Sequence, residues 1–271
     1  MVHNSDVVIN LIGQARGSMN FKPREVNVEG AMRIARICRQ AANKPTLVHV
    51  SHMSARADAK SKYMQSKYEG EQAVKKELED AIIVRPSMLF GQEDYFTAAI
   101  GEYARYGLAT TEGGKALKHP LYVSDLSEGL VRICQDRRHF TGRTFELLGP
   151  EALTWRQVLE IFRYYLVQPD KTIHDLPRWM FLALARVLSW EWRNPSFLPD
   201  DLRVWESDEI GGAREVLGFE HLGMRQLLTT LDEAGNNMVR FYRRPKDLYT
   251  IVNPRVKPEI KSLEALKSLT P

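Results

Sequence analysis

The sequence predicts an α/β fold, with a doubly wound parallel sheet followed by a mainly helical lobe. Two observations support this prediction. Short apolar runs alternate with longer segments of helical period over the first 150 residues, and the links between them are short. Such alternation is typical of parallel strands joined by crossover helices. Beyond residue 150 the apolar spacing is almost entirely helical, which indicates a helical lobe.

The first element is an apolar run, residues 6–12, that stops at Gly13. Its unbroken apolar character is that of a strand buried on both faces. A helical period follows and ends before Pro45, and the alternation then continues. In order, the predicted elements of this part are strand 6–12, helix 25–42, strand 46–50, helix 61–79 and strand 81–86.

After Gly91 the pattern is looser. The predicted elements are helix 93–106, a loop at Gly113–Gly114, a short strand or turn at 120–125, a helix after it, strand 144–149 and a further helix. Asp125 and Thr154 stand at the starts of the two later helices. Side chains of this type accept hydrogen bonds from first-turn amides, so both residues are predicted to be helix N-caps.

A glycine-rich phosphate loop is missing from the sequence. A parallel sheet that binds a dinucleotide opens with a strand, a glycine-rich turn and a helix, whose amides hold the pyrophosphate. Gly13 and Gly17 follow a strand, but no third glycine stands at the required offset. We therefore expect the first strands and the glycine loop to be absent from this sequence or supplied by another chain. No signal peptide or basic leader opens the sequence, and we expect the true N-terminus to lie elsewhere.

Tyr63 and Lys67 stand four residues apart in a predicted helix that follows a strand. This spacing places both side chains on one helix face. A neighbouring ammonium favours the phenolate and is expected to lower the pKa of Tyr63 from about 10, which would suit acid–base chemistry on a carbonyl. Tyr242 and Lys246 have the same spacing, but Pro245 lies between them and prevents a regular helix.

Metal binding and disulfide formation are not predicted. Cys38 and Cys134 lie in predicted helices and are expected to be reduced core residues. The seven histidines show no metal-ligand spacing, so no metal site is predicted.

Two segments carry patterns that suit contacts with other molecules. Residues 238–271 hold eight Lys or Arg and three acidic residues, which accounts for the net charge of +4. Such a tail is solvated, or it binds anionic lipid, an acidic partner or nucleic acid. No aromatic platform accompanies it, so no nucleic-acid partner is expected. Residues 176–192 form an aromatic amphipathic stretch that packs in the lobe, or docks on a membrane surface or a hydrophobic partner.

Five markers occur in the order found in extended or atypical short-chain dehydrogenases/reductases. They are Asn10-Leu11-Ile12-Gly13, Val48-His49-Val50-Ser51, Tyr63-x-x-x-Lys67, Val84-Arg85-Pro86-Ser87 with Gly91, and His119-Pro120-Leu121-Tyr122-Val123 with Asp125. The series resembles the later part of that fold. Residues 6–13, 49–55 and 86–94 further resemble the dehydrogenase-like accessory subunits of mitochondrial respiratory complex I, of the alpha-subcomplex subunit nine type.

Helical spacing and charge indicate a helical lobe at 151–237 and a basic tail at 238–271, and the resemblance implies a Rossmann-type nucleotide-binding domain at 1–150. It also implies a structural NADPH that is not turned over. The implied cofactor-binding residues are Asn10, Leu11, Ile12 and Gly13 beside the adenosine, Ser51 beside the nicotinamide, Tyr63 and Lys67 on the nicotinamide-side ribose, and Pro86, Ser87 and Leu89 on the nicotinamide face.

The resemblance favours a non-catalytic accessory subunit of mitochondrial NADH:ubiquinone oxidoreductase, on the matrix side of the inner membrane. Its expected partners are other subunits of the peripheral arm near the membrane junction. The short charged segment between Ser54 and Tyr63 leaves little room for a carbonyl-activating serine loop, so no catalytic residue is expected. The alternative is an active NAD(P)-dependent reductase or epimerase on a nucleotide-sugar-like carbonyl compound, with Tyr63, Lys67 and Ser51 catalytic. A third is a degenerate dehydrogenase that binds RNA or a regulatory partner through the tail.

Overall fold

The structure is a computed structural model that describes residues 2–15, 21–91, 108–165, 172–188, 198–211, 215–224, 227–231 and 233. The strands are β1 Val7–Asn10, β2 Thr46–Val50, β3 Ile82–Pro86, β4 Leu89–Phe90, β5 Leu108–Thr110, β6 Leu117–Lys118, β7 Leu121–Tyr122, β8 Thr144–Leu147, β9 Leu153–Thr154 and β10 Ile173–Asp175. The helices are α1 Ala31–Gln40, α2 Lys62–Glu77, α3 Val123–Gln135, α4 Trp155–Tyr165, α5 Arg178–Leu188 and α6 Pro199–Trp205. A π-helical turn, Glu25–Gly30, leads into α1, and short 3-10 turns lie at Val2–Asn4, Glu112–Gly114 and Phe219–Leu222.

Four strands form the central sheet in the order β1-β2-β3-β8, and every pair is parallel. The predicted parallel sheet is therefore confirmed. β1 forms one edge, and no described residue pairs with its outer side. At the opposite edge, Leu217 bridges to Phe145 of β8.

Helices cover both faces of this sheet, which confirms the doubly wound α/β class. α1 and α2 pack on one face, where Ala35 and Val74 meet Leu47. α3 and the Phe219–Leu222 turn cover the other face, where Ile133 meets Val48. Because successive side chains of a strand point to opposite faces, the neighbours Leu47 and Val48 belong to different layers of the core.

The helical lobe also contains strands, which the sequence did not indicate. β10 pairs with β5 and β9 pairs with β6, so residues before 150 contribute to it. Trp155 of α4 stacks on Trp205 of α6 with ring centroids 5.2 Å apart. The domain boundaries at 150 and 237 stay predictions.

α5 has one buried face and one exposed apolar face. Phe181 and Ala185 pack against Leu202 of α6. On the other side an apolar surface, here called the α5 stripe, is exposed: Trp179 (71%), Met180 (38%), Leu184 (48%) and Val187 (67%). None of the described helices is long and apolar enough to cross a bilayer.

The two predicted helix caps have opposite outcomes. Thr154 Oγ1 accepts from Gln157 N at 3.2 Å, so the predicted cap of α4 is confirmed. The predicted cap at Asp125 is wrong. Asp125 lies inside the first turn of α3, is buried, and accepts from Thr229 N at 2.6 Å and Thr229 Oγ1 at 3.2 Å. Donors from a distant segment occupy this carboxylate, and a local pattern does not reveal them.

Several predicted features fall on residues outside the described ranges. They are helix 93–106, Gly17, the end of the 176–192 stretch and the whole tail 238–271 with Tyr242 and Lys246.

Candidate functional site

The sequence-predicted site residues gather at the carboxyl ends of β1, β2 and β3. Asn10 ends β1 and pairs with His49 of β2. Ser51 follows β2, and its amide donates to Val84 O of β3 at 2.7 Å. Pro86 ends β3. Ligands of open parallel sheets bind at this edge, because the loops that leave the strand ends form a crevice there.

Asn10 shapes the turn after β1. It is buried, and its Oδ1 accepts from Ile12 N at 3.1 Å. This fixes the amide so that Nδ2 donates to His49 Nδ1 at 3.0 Å. The strand ends here, short of the predicted residue 12, because the Asn10 side chain competes for the next amides. Leu11 and Ile12 are 64% and 60% exposed. The adenosine contact of these residues stays a prediction.

Lys67 lies beneath the ends of β1 and β2. Its Nζ donates to Val50 O at 3.2 Å, and the residue is 5% exposed. Burial lowers the pKa of Lys67 to about 8, although Glu71 acts in the opposite direction. A Cβ on Gly13 would lie 2.6 Å from Lys67 Nζ. Gly13 therefore leaves room for the ammonium, which is a role different from holding phosphate.

Tyr63 is partly buried, and its ring meets His52 edge to face with centroids 5.9 Å apart. Burial raises the pKa of Tyr63 to about 12. The prediction that Lys67 lowers this pKa is therefore wrong. The two residues share α2 as predicted, but the ammonium donates to Val50 O, and desolvation of the phenolate dominates.

Asn27 is a site residue that sequence reasoning missed. Its Oδ1 accepts from Gln14 N at 2.8 Å, and its Nδ2 donates to Gln14 O at 2.9 Å and to Ser66 Oγ at 2.8 Å. These bonds attach the loop after β1 to α2. A Cβ on Gly70 would lie 2.2 Å from Asn27 O, so only glycine allows α2 to approach the π-helical turn this closely. The sequence signal for this role was the position of Asn27, a polar residue within the apolar helical pattern of residues 25–42.

Two buried polar atoms at the end of β2 have no hydrogen-bond partner among the described residues. They are Ser51 Oγ and His49 Nε2, on residues 5% and 1% exposed. Burial lowers the pKa of His49 to about 4, and the charge of Lys67 adds to this, so the ring is neutral near pH 7. An unpaired buried polar group is rare and costly, and a bound ligand or water is a common explanation. Ser51 therefore fits a contact to the polar edge of a dinucleotide.

The polar groups of Ser87 and its neighbours form hydrogen bonds within the protein. Ser87 Oγ donates to His119 O and accepts from Gly149 N at 3.2 Å. Pro86 O accepts from Met53 N at 2.9 Å. Leu89 pairs with Leu121 in the β4–β7 ladder. These contacts join three loops beneath the site, and the Ser87 hydroxyl offers less to a ligand than Ser51 does. Their nicotinamide contact stays a prediction.

A buried ionic cluster supports α2 from below. Arg85 of β3 donates to both carboxylate oxygens of Glu71, with Nη2 2.7 Å from Oε2 and Nε 3.0 Å from Oε1. Arg85 Nη1 also donates to Glu146 Oε1 of β8 at 3.3 Å. Glu71 is fully buried. Within the described ranges, no group of three His, Cys, Asp or Glu side chains is arranged to hold a metal ion.

The start of α2 has a local N-cap, Ser61, whose Oγ accepts from Met64 N at 3.4 Å, and it is also bound by a carboxylate from the lobe. Asp200 of α6 accepts from Ser61 Oγ at 2.7 Å and from the amides of Lys62 and Tyr63 at 3.1 Å each. Ser61 is a local N-cap signal, but nothing in the neighbouring sequence identifies Asp200, because it stands well over a hundred residues away in the chain.

Residues 18–172, more than half of the chain, match the protein family described as RmlD substrate binding domain. The chain belongs to the RmlD substrate binding domain family. The match spans α1, α2 and the strands β2 to β9, and so includes most of the residues around the candidate site.

Curated relatives match a larger share of the chain. It is 34% identical over 248 residues to the NADH dehydrogenase [ubiquinone] 1 alpha subcomplex subunit 9, mitochondrial, of Mus musculus, and 32% identical over the same length to that of Rattus norvegicus. Each match covers 89% of this chain and 63% of the relative. The NADH-ubiquinone oxidoreductase 40 kDa subunit, mitochondrial, of Neurospora crassa is 29% identical over 82% of this chain and 58% of its own length. The chain thus spans less than two thirds of these relatives.

Solved structures share the fold at low sequence identity. DesIV, a dTDP-glucose 4,6-dehydratase from Streptomyces venezuelae solved with NAD, has a TM-score of 0.61 at 14% identity, covering 92% of this chain and 76% of that one. TunA, an NAD-dependent NDP-hexosamine 5,6-dehydratase, has a TM-score of 0.60 at 14% identity, covering 89% and 78%. These likenesses confirm the Rossmann-like fold.

Proposed function

We propose that the chain is the dehydrogenase-like part of a non-catalytic accessory subunit of mitochondrial complex I. The observation that carries this proposal is the similarity to complex I subunits over 89% of the chain, which includes both the sheet domain and the lobe. The matrix side of the inner membrane and partners in the peripheral arm near the membrane junction belong to this proposal.

The geometry of Tyr63 and Lys67 supports a binding role over turnover. A phenol with a pKa of about 12 is a poor proton donor near neutral pH, and the Lys67 ammonium is engaged by Val50 O. Both side chains can still hydrogen-bond a ribose. A ligand that binds only the folded state stabilises it by mass action. A bound dinucleotide would therefore stabilise the fold even if it takes part in no reaction.

We propose that the dinucleotide is NADPH, bound at the carboxyl ends of β1, β2 and β3. Ser51 and Lys67 would contact its nicotinamide half, and when bound the nicotinamide would supply hydride chemistry that this site does not use. The glycine loop that holds the pyrophosphate would lie outside these 271 residues. Native mass spectrometry of the full-length protein tests this directly: a bound mass that distinguishes NADPH from NADH is expected, and an intact preparation without dinucleotide would contradict it.

We also propose that the α5 stripe contacts an anionic lipid surface. Its four exposed apolar residues lie on one helix face and include a tryptophan. α5 contains Arg178 and Arg186 and no acidic residue, and Arg178 is paired with Glu206 at 3.1 Å. This composition suits a helix that lies in the membrane interface. Co-sedimentation with phosphatidylglycerol vesicles should fall strongly in Leu184→Glu, and should not change in Glu220→Gln, an exposed site elsewhere. Equal binding by both variants would contradict lipid contact through α5.

Assembly and activity in cells separate the main proposal from an active reductase. A tagged full-length protein should co-migrate with complex I on native gels. Tyr63→Phe should leave NADH:ubiquinone activity unchanged, since no proton transfer depends on the phenol. A protein that migrates alone, reduces a nucleotide-sugar carbonyl with NADPH and loses that activity in Tyr63→Phe would establish the alternative.

A further inference from the structure

Asp200 lies at a junction between the lobe and the candidate dinucleotide site. The first amides of a helix have no intrahelical partner, and a carboxylate there is favoured by the helix dipole. In α2 this carboxylate comes from α6, and it also contacts Arg203 Nη1 at 3.2 Å. Burial raises the pKa of Asp200, but the hydrogen bonds from Ser61, Tyr63 and Lys62 outweigh it and the pKa is lowered, so the group is ionised.

The two ends of this junction both belong to proposed binding surfaces. Tyr63 lies in the first turn of α2 and Lys67 one turn later, so a shift of the α2 start moves both residues. On the other side, Leu202 of α6 packs against Phe181 of α5, whose opposite face is the α5 stripe. One short helix, α6, therefore separates the stripe from the start of α2.

We propose that Asp200 is a positioning residue that couples the dinucleotide site to the α5 stripe. Seating of the stripe on anionic lipid fixes α5 and α6, and Asp200 then fixes the start of α2 in the arrangement that holds the nicotinamide-side ribose. Because such coupling is reciprocal, dinucleotide binding should also order α6. The ligand and the lipid rest on the proposed function, whereas the coupling between α6 and α2 is a property of the chain alone.

Hydrogen exchange without any ligand tests the coupling. Asp200→Ala should speed exchange of the Lys62 and Tyr63 amides by about tenfold, because each loses its carboxylate acceptor while Ser61 still caps α2. Asp200→Asn keeps one acceptor and should give a smaller effect. Asp136→Asn removes an exposed carboxylate elsewhere and should change nothing at these amides.

A double-mutant cycle shows whether α5 acts through Asp200. Phe181→Leu, which loosens the α5–α6 contact while keeping the residue apolar, should speed exchange at residues 62 and 63. The same change should add nothing in an Asp200→Ala background. Val131→Ala, at an exposed position of α3 away from the junction, is the matched control and should have no effect. No change in Phe181→Leu, or an equal change with and without Asp200, would overturn the coupling.

Binding measurements then test the two ligands on the full-length protein. Phosphatidylglycerol vesicles should raise the affinity for NADPH several-fold in the wild type and not in Asp200→Ala. An effect of vesicles that persists in Asp200→Ala would overturn the role of Asp200. A wild type that binds no dinucleotide would contradict the proposed cofactor, and the exchange cycle would then decide the coupling by itself.

Discussion

Replacing Arg85 by methionine should destabilise the protein far more than replacing a surface arginine. The change leaves Glu71, whose side chain is 0% exposed, without the guanidinium that contacts both of its oxygens. Removing one partner of a buried ion pair costs roughly 3–5 kcal/mol. Lys67 interacts favourably with Glu71 in the folded protein, so we expect the lower end, about 3 kcal/mol.

Urea unfolding followed by circular dichroism measures these free energies. The matched control is Arg24→Met, whose pair with Glu69 spans 2.9 Å but has side chains 68% and 46% exposed. Exposed pairs contribute about 0–1 kcal/mol, so this variant should resemble the wild type. Adding Glu71→Gln to Arg85→Met should restore most of the lost stability. Equal effects of the two arginine changes, or no recovery in the double variant, would refute the reasoning.

Three further predictions concern the candidate site. Ser51→Ala should keep the free energy of unfolding within about 1 kcal/mol of the wild type, because the hydroxyl has no partner among the described residues, and should weaken dinucleotide binding. A large loss of stability in urea unfolding would indicate an internal partner. The free energy of unfolding of the wild type should rise between about pH 8 and 10, because the unfolded chain binds more protons there than the folded protein, in which Lys67 has a pKa of about 8. Lys67→Met should lack this rise. A wild type whose free energy of unfolding does not rise over this range would contradict the burial argument. Gly70→Ala should destabilise the protein by about 1–3 kcal/mol and lower its melting temperature, because the added Cβ would lie 2.2 Å from Asn27 O. Gly30→Ala is the control and should leave the melting temperature unchanged, since its Cβ would lie 3.6 Å from the nearest atom.

The central elements were predictable because their signals are local. Strand 46–50 was located at its observed bounds, and α2 within two residues at each end. Apolar character and period depend on neighbouring residues in the chain, and these determine strands and helices. The lobe strand β10 was missed because its three residues become a strand only through pairing with β5. Pairing between distant segments produces no hydrophobic periodicity in the sequence of either segment.

The sequence by itself determined that Tyr63 and Lys67 share one face of α2, and that Ser51 and Pro86 stand at the ends of two parallel strands. Both follow from helix and strand geometry. Only the tertiary structure decided that the pKa of Tyr63 rises, because desolvation sums over everything packed around the ring. It also decided that Asp125 binds Thr229 and that Asp200 accepts from the first amides of α2. A carboxylate accepts hydrogen bonds from the donors that the fold brings near it, and these donors cannot be identified from the residues next to it in the sequence.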